Sequence, residues 1–377
     1  MWKVSCTVPS KNYQQWLLHL SMKRLQLKYL FVYTTPLVIL FSLWASSIWS
    51  FFAFFFIFGL IPFIELFTNG SKDNLNAEEE EKVTKNIVFD LIIYLLVPMQ
   101  CVILIYFLIQ VSDESLPLHT KLGLTTAYGL ACGGIGINGA HELGHRHTWY
   151  EQLMSKLLLL STLYMHFFIE HNRGHHKHVS TDQDPASSRY NEIIYSFFFR
   201  SIIGGWKSAW RLEETKMKLQ KKRVWSFHNE MLRFQIIQIA LVTTVALIFG
   251  FDTTLFFIAG ATIGILILET VNYIEHYGLR RLKVGDGFER TKPIHSWNSN
   301  HPIGRILLLE VTRHSDHHYI SSKKYQTLKH FDNSPQMPTG YPGMMVLALF
   351  PPLWFRVMNK RIKEYGATPP QLAQSQL

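Results

Sequence analysis

The sequence predicts an all-α membrane protein, with six transmembrane helices and a histidine-rich cap on the cytoplasmic side. Three observations predict it. Six apolar runs approach or exceed the roughly 20 residues needed to cross the hydrocarbon core. Lys and Arg concentrate on one side of those runs. Patterned histidines gather at the run ends on that same side. The 377 residues are 48% hydrophobic and only 17% charged, with a formal net charge of +10.

In chain order, the runs cover 29–48, 50–67, 87–111, 121–140, 234–251 and 253–274. The first two read as a hairpin broken near Ser46-Ser47, and the last two as one broken at Gly250-Phe251-Asp252. The chain is thus expected to be a single integral membrane domain, 1–377. Four helices lie within 29–140, a cytoplasmic region spans 141–233, two helices lie within 234–275, and a cytoplasmic cap covers 276–377. No short apolar core with a small-residue cleavage site opens the chain, so no removable signal peptide is expected.

Orientation follows from basic residues in short flanking segments. Lys3, Lys11, Lys23, Arg24 and Lys28 precede the first run, and residues 142–223 hold 13 Lys or Arg. The loops near 112–120 and 250–254 carry acidic residues but no Lys or Arg. With six spans, both termini and the two large basic regions lie inside. The basic excess is accounted for by this topology and by attraction to anionic lipid. No nucleic-acid-binding motif accompanies it.

Leu153–Ile169 is a seventh apolar stretch at the lower length limit for a span. It is read as lying in the membrane surface, because crossing would separate histidines expected to share one site. The stretches 193–206 and 343–357 are read as interfacial from their aromatic content. In the fourth run, GLACGGIGINGA (129–140), Gly129 and Gly133 have the spacing that lets helix backbones approach. Gly134, Gly136 and Gly139 also match GxGxxG, but no strand precedes them, so helix packing is the reading taken. Cys6, Cys101 and Cys132 form no CxxC pair, which argues against a disulfide framework or a thiolate iron site.

Nine of the 18 histidines fall into patterned groups. HELGH supplies His141 and His145, and HNRGHH supplies His171, His175 and His176. HSDHH supplies His314, His317 and His318, and His276 lies in NYIEHYGL. On a helix, i and i+4 side chains share a face, so one metal can be gripped by both. The extra neighbour in HxxxHH and HxxHH points elsewhere and suits a second metal. Imidazole suits iron, zinc, copper and nickel. A lone histidine is more often a hydrogen-bonded surface or core residue, and His147, His166, His178, His295 and His301 are read as supporting or surface groups. Carboxylates stand close by: Glu142, Glu170, Glu275 and Asp316, with Asp182, Asp184 and Glu269. Metal-bound histidines usually donate their other N–H to such groups, and that supporting role is expected of all seven.

HELGH, EHNRGHH, NYIEHYGL and RHSDHH together resemble the motifs of the membrane alkane monooxygenases, within the wider histidine-box desaturases and hydroxylases. The likeness runs from about residue 130 to 320, and NYIEHYGL is similar to the alkane and xylene hydroxylase branch in particular. The resemblance implies a cytoplasmic di-iron cap, with two non-haem Fe ions held by the nine histidines, and O2 as co-substrate. It implies electrons from a separate rubredoxin and its reductase, and a medium-chain alkane taken from the bilayer and hydroxylated at its terminal carbon. It places the protein in a bacterial inner membrane as a multi-pass chain. How the histidines divide between the irons does not follow from sequence. A basic surface suits an acidic electron carrier through steering, with Lys221, Lys222, Arg223, Arg280 and Arg281 as candidates. Trp44, Trp49 and Phe55 could line a path for hydrocarbon, although packing explains them equally well.

Rival readings remain. A xylene hydroxylase or fatty acid desaturase shares the same chemistry. HELGH is also a complete HExxH, the mark of a zinc protease with Glu142 as general base. That reading leaves most patterned histidines without a role, since a catalytic zinc needs three protein ligands. A divalent-metal transporter would place its ligands mid-span rather than at one face.

Overall fold

The computed structural model describes residues 11–365; Lys3 and Cys6 lie outside them. Among the described residues, five helices are long and apolar enough to cross a membrane. These are α1 (Leu20–Trp44), α2 (Ser47–Glu65), α3 (Ile87–Val111) and, after α4 to α7, α8 (Glu230–Phe249) and α9 (Phe251–His276). The fourth expected span is α4, continuous through Leu118–Ala131, a π-helical Cys132–Ile137 and Asn138–Gly144. It is not among the five apolar helices, because its glycines and Asn138 dilute its apolarity.

What α4 lacks in apolarity it supplies in closeness. A Cβ on Gly129 would come within 2.5 Å of Ile263, and one on Gly133 within 2.6 Å of Ile267. From the other side, a Cβ on Gly264 would lie 2.3 Å from that of Cys132. The small-residue faces of α4 and α9 thus press backbone to backbone, and Leu130, Ala131 and Cys132 are buried in the bundle. The GxGxxG match lies inside this helix and forms no nucleotide loop.

Both hairpins break where the sequence places them. Ala45 leaves α1 in an extended conformation before α2 begins at Ser47. Gly250 joins α8 to α9 at φ 85°, a conformation that only glycine adopts without strain.

The stretch Leu153–Ile169 does not form one crossing helix. Helix α5 (Trp149–Ser161) ends at a turn with Leu163 at φ 53°, and the chain reverses into α6, Phe167–His178. A 13-residue helix spans about 20 Å, short of the hydrocarbon thickness of about 30 Å. Helix α7 (Ile194–Leu219) follows, with Tyr195, Phe199, Ile203 and Trp206 exposed along one side.

The C-terminal segment folds over the helix ends through α10 (His314–Tyr319), α11 (Tyr341–Ala348) and α12 (Pro351–Glu364). Buried polar ties hold it down. Trp297 donates its backbone N–H to Glu275 and its indole N–H to Tyr277, at 2.8 and 2.9 Å. The buried Glu310 carboxylate accepts from Lys28, Tyr29 and Arg305 at 2.5, 3.0 and 2.7 Å, joining α1 to the cap.

Candidate metal centre

The nine patterned histidines converge on one region at the ends of α4 and α9. They form two groups: His141, His145, His171, His176 and His317 in one, and His175, His276, His314 and His318 in the other. Within each group the donor nitrogens lie within 4.8 Å of one another. The groups adjoin, with the His176 and His318 rings 4.5 Å apart.

Local structure determines the division. His141 and His145 sit one turn apart at the end of α4, and both join the five-histidine group. His314 and His318, also i and i+4, face each other at 2.8 Å between Nε2 atoms in the four-histidine group. His317 points the other way, to 3.1 Å from His176 Nε2. The i, i+4 expectation fails at HNRGHH. Residues His171–His175 form a π-helical turn, whose i→i+5 bonding aligns residues five apart. His171 therefore meets His176 at 3.1 Å, while His175 turns to His318 at 3.2 Å. His276, the last residue of α9, completes the second group 3.2 Å from His314 Nε2.

The donor set fits a metal in each group. Six Nε2–Nε2 separations of 2.8–3.2 Å link eight of the rings. With bonds of about 2.1 Å, two nitrogens at right angles on one ion stand about 3.0 Å apart, against about 3.4 Å at the tetrahedral angle. Burial, with neighbouring rings, pushes His171, His176, His314, His317 and His318 well below the ordinary imidazole range. They are neutral, the form that binds metal. A cation in each group satisfies the facing lone pairs of these eight Nε2 atoms at once. Five imidazoles also exceed the four ligands of a tetrahedral zinc site.

The seven carboxylates separate. Asp184 takes the expected role, 2.9 Å from His175 Nδ1, while Ser187 and the Ala186 amide donate to it. Burial opposes ionisation of both partners, but their attraction prevails: His175 is raised and Asp184 held well below the usual carboxylate range. Glu275 also touches a ring, but on the other edge, with Oε2 3.2 Å from His314 Nε2. Among the described residues, no hydrogen bond joins the remaining five to a ring. Glu142 accepts from Arg146 at 2.6 Å and from the Tyr325 amide at 3.2 Å. Asp316 is held by Lys323 and the Lys329 amide. Asp182 stands 3.7 Å from Arg280. Glu269 accepts from Tyr164 at 2.9 Å, and Glu170 shares with it a small chamber beside His171 and His175. A carboxylate pinned as Glu142 is makes a poor general base, which weighs against the zinc protease reading.

An apolar cavity runs between the helices to this centre. Ile57, Phe58 and Ile61 of α2 line it, and His141, His171 and His314 reach its inner end. Trp44, Trp49 and Phe55 are not part of it and are exposed on the outside of the bundle. Sequence reading also missed Asn138, which lines the cavity with its amide nitrogen unpartnered, and Asp90, which pairs with Lys324 at 2.7 Å. The signal was present in both cases, as polar residues within apolar helices. Arg280 and Arg281, candidates for steering a carrier, are buried and bond backbone carbonyls of Ser188, Lys177 and Glu289. They clamp the cap. Lys221, Lys222 and Arg223 are exposed.

Comparison with known proteins agrees with this geometry. Residues 117–348 match the model of the fatty acid desaturase family. The chain is 38% identical to an alkane 1-monooxygenase of Acinetobacter baylyi over 307 residues, 81% of this chain and 75% of that one. It is 39% identical to alkane 1-monooxygenase 1 of Alcanivorax borkumensis, covering 85% and 79% of the two chains. The hydroxylase component XylM of a Pseudomonas putida xylene/toluene monooxygenase is 30% identical over 59% of this chain and 58% of its own. The chain therefore belongs to the alkane hydroxylase branch of the fatty acid desaturase family.

Proposed function

We propose that the protein is a membrane monooxygenase that hydroxylates the terminal carbon of medium-chain alkanes, with one iron ion in each histidine group. The observation that carries this reading is the convergence of nine imidazoles, from four separate stretches of chain, at the inner end of an apolar cavity. The net reaction is RH + O2 + 2 e− + 2 H+ → ROH + H2O. The electrons come from a separate rubredoxin, reduced by its own reductase. Five apolar helices and α4 together make six spans, with both termini and the metal centre on the cytoplasmic side of a cell inner membrane.

A terminal C–H bond offers no charge or lone pair, so recognition rests on shape and dryness. The cavity walls do this: Ile57, Phe58, Ile61 and Val271 hold a hydrocarbon chain and exclude water. When bound, the iron pair supplies the activation of O2 and the oxidation of the C–H bond, which no acid or base on this chain can perform. The nine histidines hold the ions. Asp184 fixes the tautomer and orientation of His175 by accepting its Nδ1–H, leaving Nε2 for the metal. Asn138 places an unpartnered N–H donor in the largely apolar wall, where the hydroxyl oxygen of the product can accept it. The exposed Lys221-Lys222-Arg223 run supplies positive charge for an acidic carrier.

Membranes containing the protein, given rubredoxin, its reductase, NADH and octane, are expected to produce 1-octanol. A double bond in a supplied acyl chain, or oxidation of xylene without octane, would reassign the substrate within the same chemistry.

A further inference from the structure

The two histidine groups differ in their access to water. All four rings of the second group are buried, at 6% exposure or less. In the first group His145 and His176 are only half-buried, as is His141, whose ring lines the apolar cavity. His145 also lines a second opening, a cleft of ≈ 530 Å3 with mixed polar and apolar walls. Tyr94 and Tyr150 line it, with ring centroids 6.2 Å apart, together with Thr84, Ser322 and Lys324. A water's share of liquid volume is about 30 Å3, so the cleft has room for several.

Most of the charges in its walls are already paired, and Glu151 accepts from hydroxyls alone. Lys324 bonds Asp90 at 2.7 Å, Arg146 bonds Glu142 at 2.6 Å, and Lys323 bonds Asp316 at 2.9 Å. Tyr94 donates to Glu151 at 2.8 Å. Such a surface carries charges of both signs and can hold water. It is more polar than the hydrocarbon cavity, whose walls are almost wholly apolar. The reaction nevertheless takes up two protons and releases one water per turnover, and an oily cavity cannot carry either cheaply.

We infer that the cleft beside His145 is the aqueous port of the metal centre. Water, protons and small hydrophilic solutes, metal ions among them, reach the five-histidine group through it. The four-histidine group borders only the apolar cavity, at His314, and the small chamber beside His175. The inference rests on the two groups being metal sites, as proposed above.

Iron-loaded protein, challenged with a sulfonated iron(II) chelator that does not enter hydrocarbon, tests it directly. Two release phases of equal amplitude are expected, and His145→Ala should lack the fast one. Thr84→Trp and Ser322→Trp fill the cleft without touching a histidine. They should slow the fast phase about tenfold, the effect of a barrier raised by about 1.4 kcal/mol, and leave the slow phase unchanged. Tyr150→Ala opens the rim and should speed the fast phase. Release of both ions in one phase, or a fast phase indifferent to all three cleft variants, would overturn the port while leaving the two metal sites standing. Protein that binds fewer than two ions per chain would overturn the metal reading and the port with it.

Discussion

Asp184 and Glu142 are both buried carboxylates beside metal-binding motifs, yet their partners give them different work. Asp184 accepts from His175 Nδ1 at 2.9 Å, so its loss removes what orients that ring. Asp184→Ala should weaken iron binding about 10- to 100-fold, read by titration with a competing chelator. Unchanged affinity would show that the ring is held by packing alone. Glu142 instead neutralises Arg146 and receives the Tyr325 amide. Glu142→Gln keeps the size and most of these bonds, so iron content should stay near that of the wild type, measured by elemental analysis. The histidines were legible as candidates because clustered imidazoles need partners. The carboxylates were not separable, because sequence shows which acids are near a motif but not which way each side chain turns.

Among the elements, helix period accounts for most of the histidine grouping and fails at one turn. The i, i+4 rule groups His141 with His145 and His314 with His318 correctly. It misassigns His171 and His175, since nothing in HNRGHH announces a π-helical turn. Gly174 explains part of the local geometry: a Cβ there would lie 2.5 Å from the Glu170 carboxylate. The glycine stripe of α4 was legible, because Gly129 and Gly133 have no other evident use, and its partner proves to be Gly260 and Gly264 of α9. Gly264→Leu forces side-chain atoms into the Cys132 backbone and should destabilise the protein by about 1–3 kcal/mol, seen as a lower Tm in detergent. A Tm equal to that of the wild type would contradict the close helix contact.

Across the whole molecule, the apolar runs gave the helical bundle, while the cap's attachment was hidden in residues far apart in sequence. Glu310 lies 282 positions from Lys28, yet the two are in contact. Burial would raise the Glu310 pKa, but Lys28 and Arg305 outweigh it and hold it at about 2. A depressed carboxylate stabilises the fold above its unfolded pKa of about 4.3, and the stabilisation is lost as pH falls towards the folded value. Thermal unfolding should therefore show the cap tie intact at neutral pH and weakening below about pH 4. Glu310→Gln should cost about 3–5 kcal/mol at pH 7, because it leaves buried cations unpaired, and should remove that part of the acid dependence. The most direct test of the centre itself is the iron count of purified protein, wild type and His276→Ala, alongside octane turnover. Two ions per chain are expected in the wild type, and one ion with no 1-octanol in the variant. A wild-type chain that makes 1-octanol with fewer than two ions, or a variant that keeps both ions and full activity, would contradict the nine-histidine, two-metal centre.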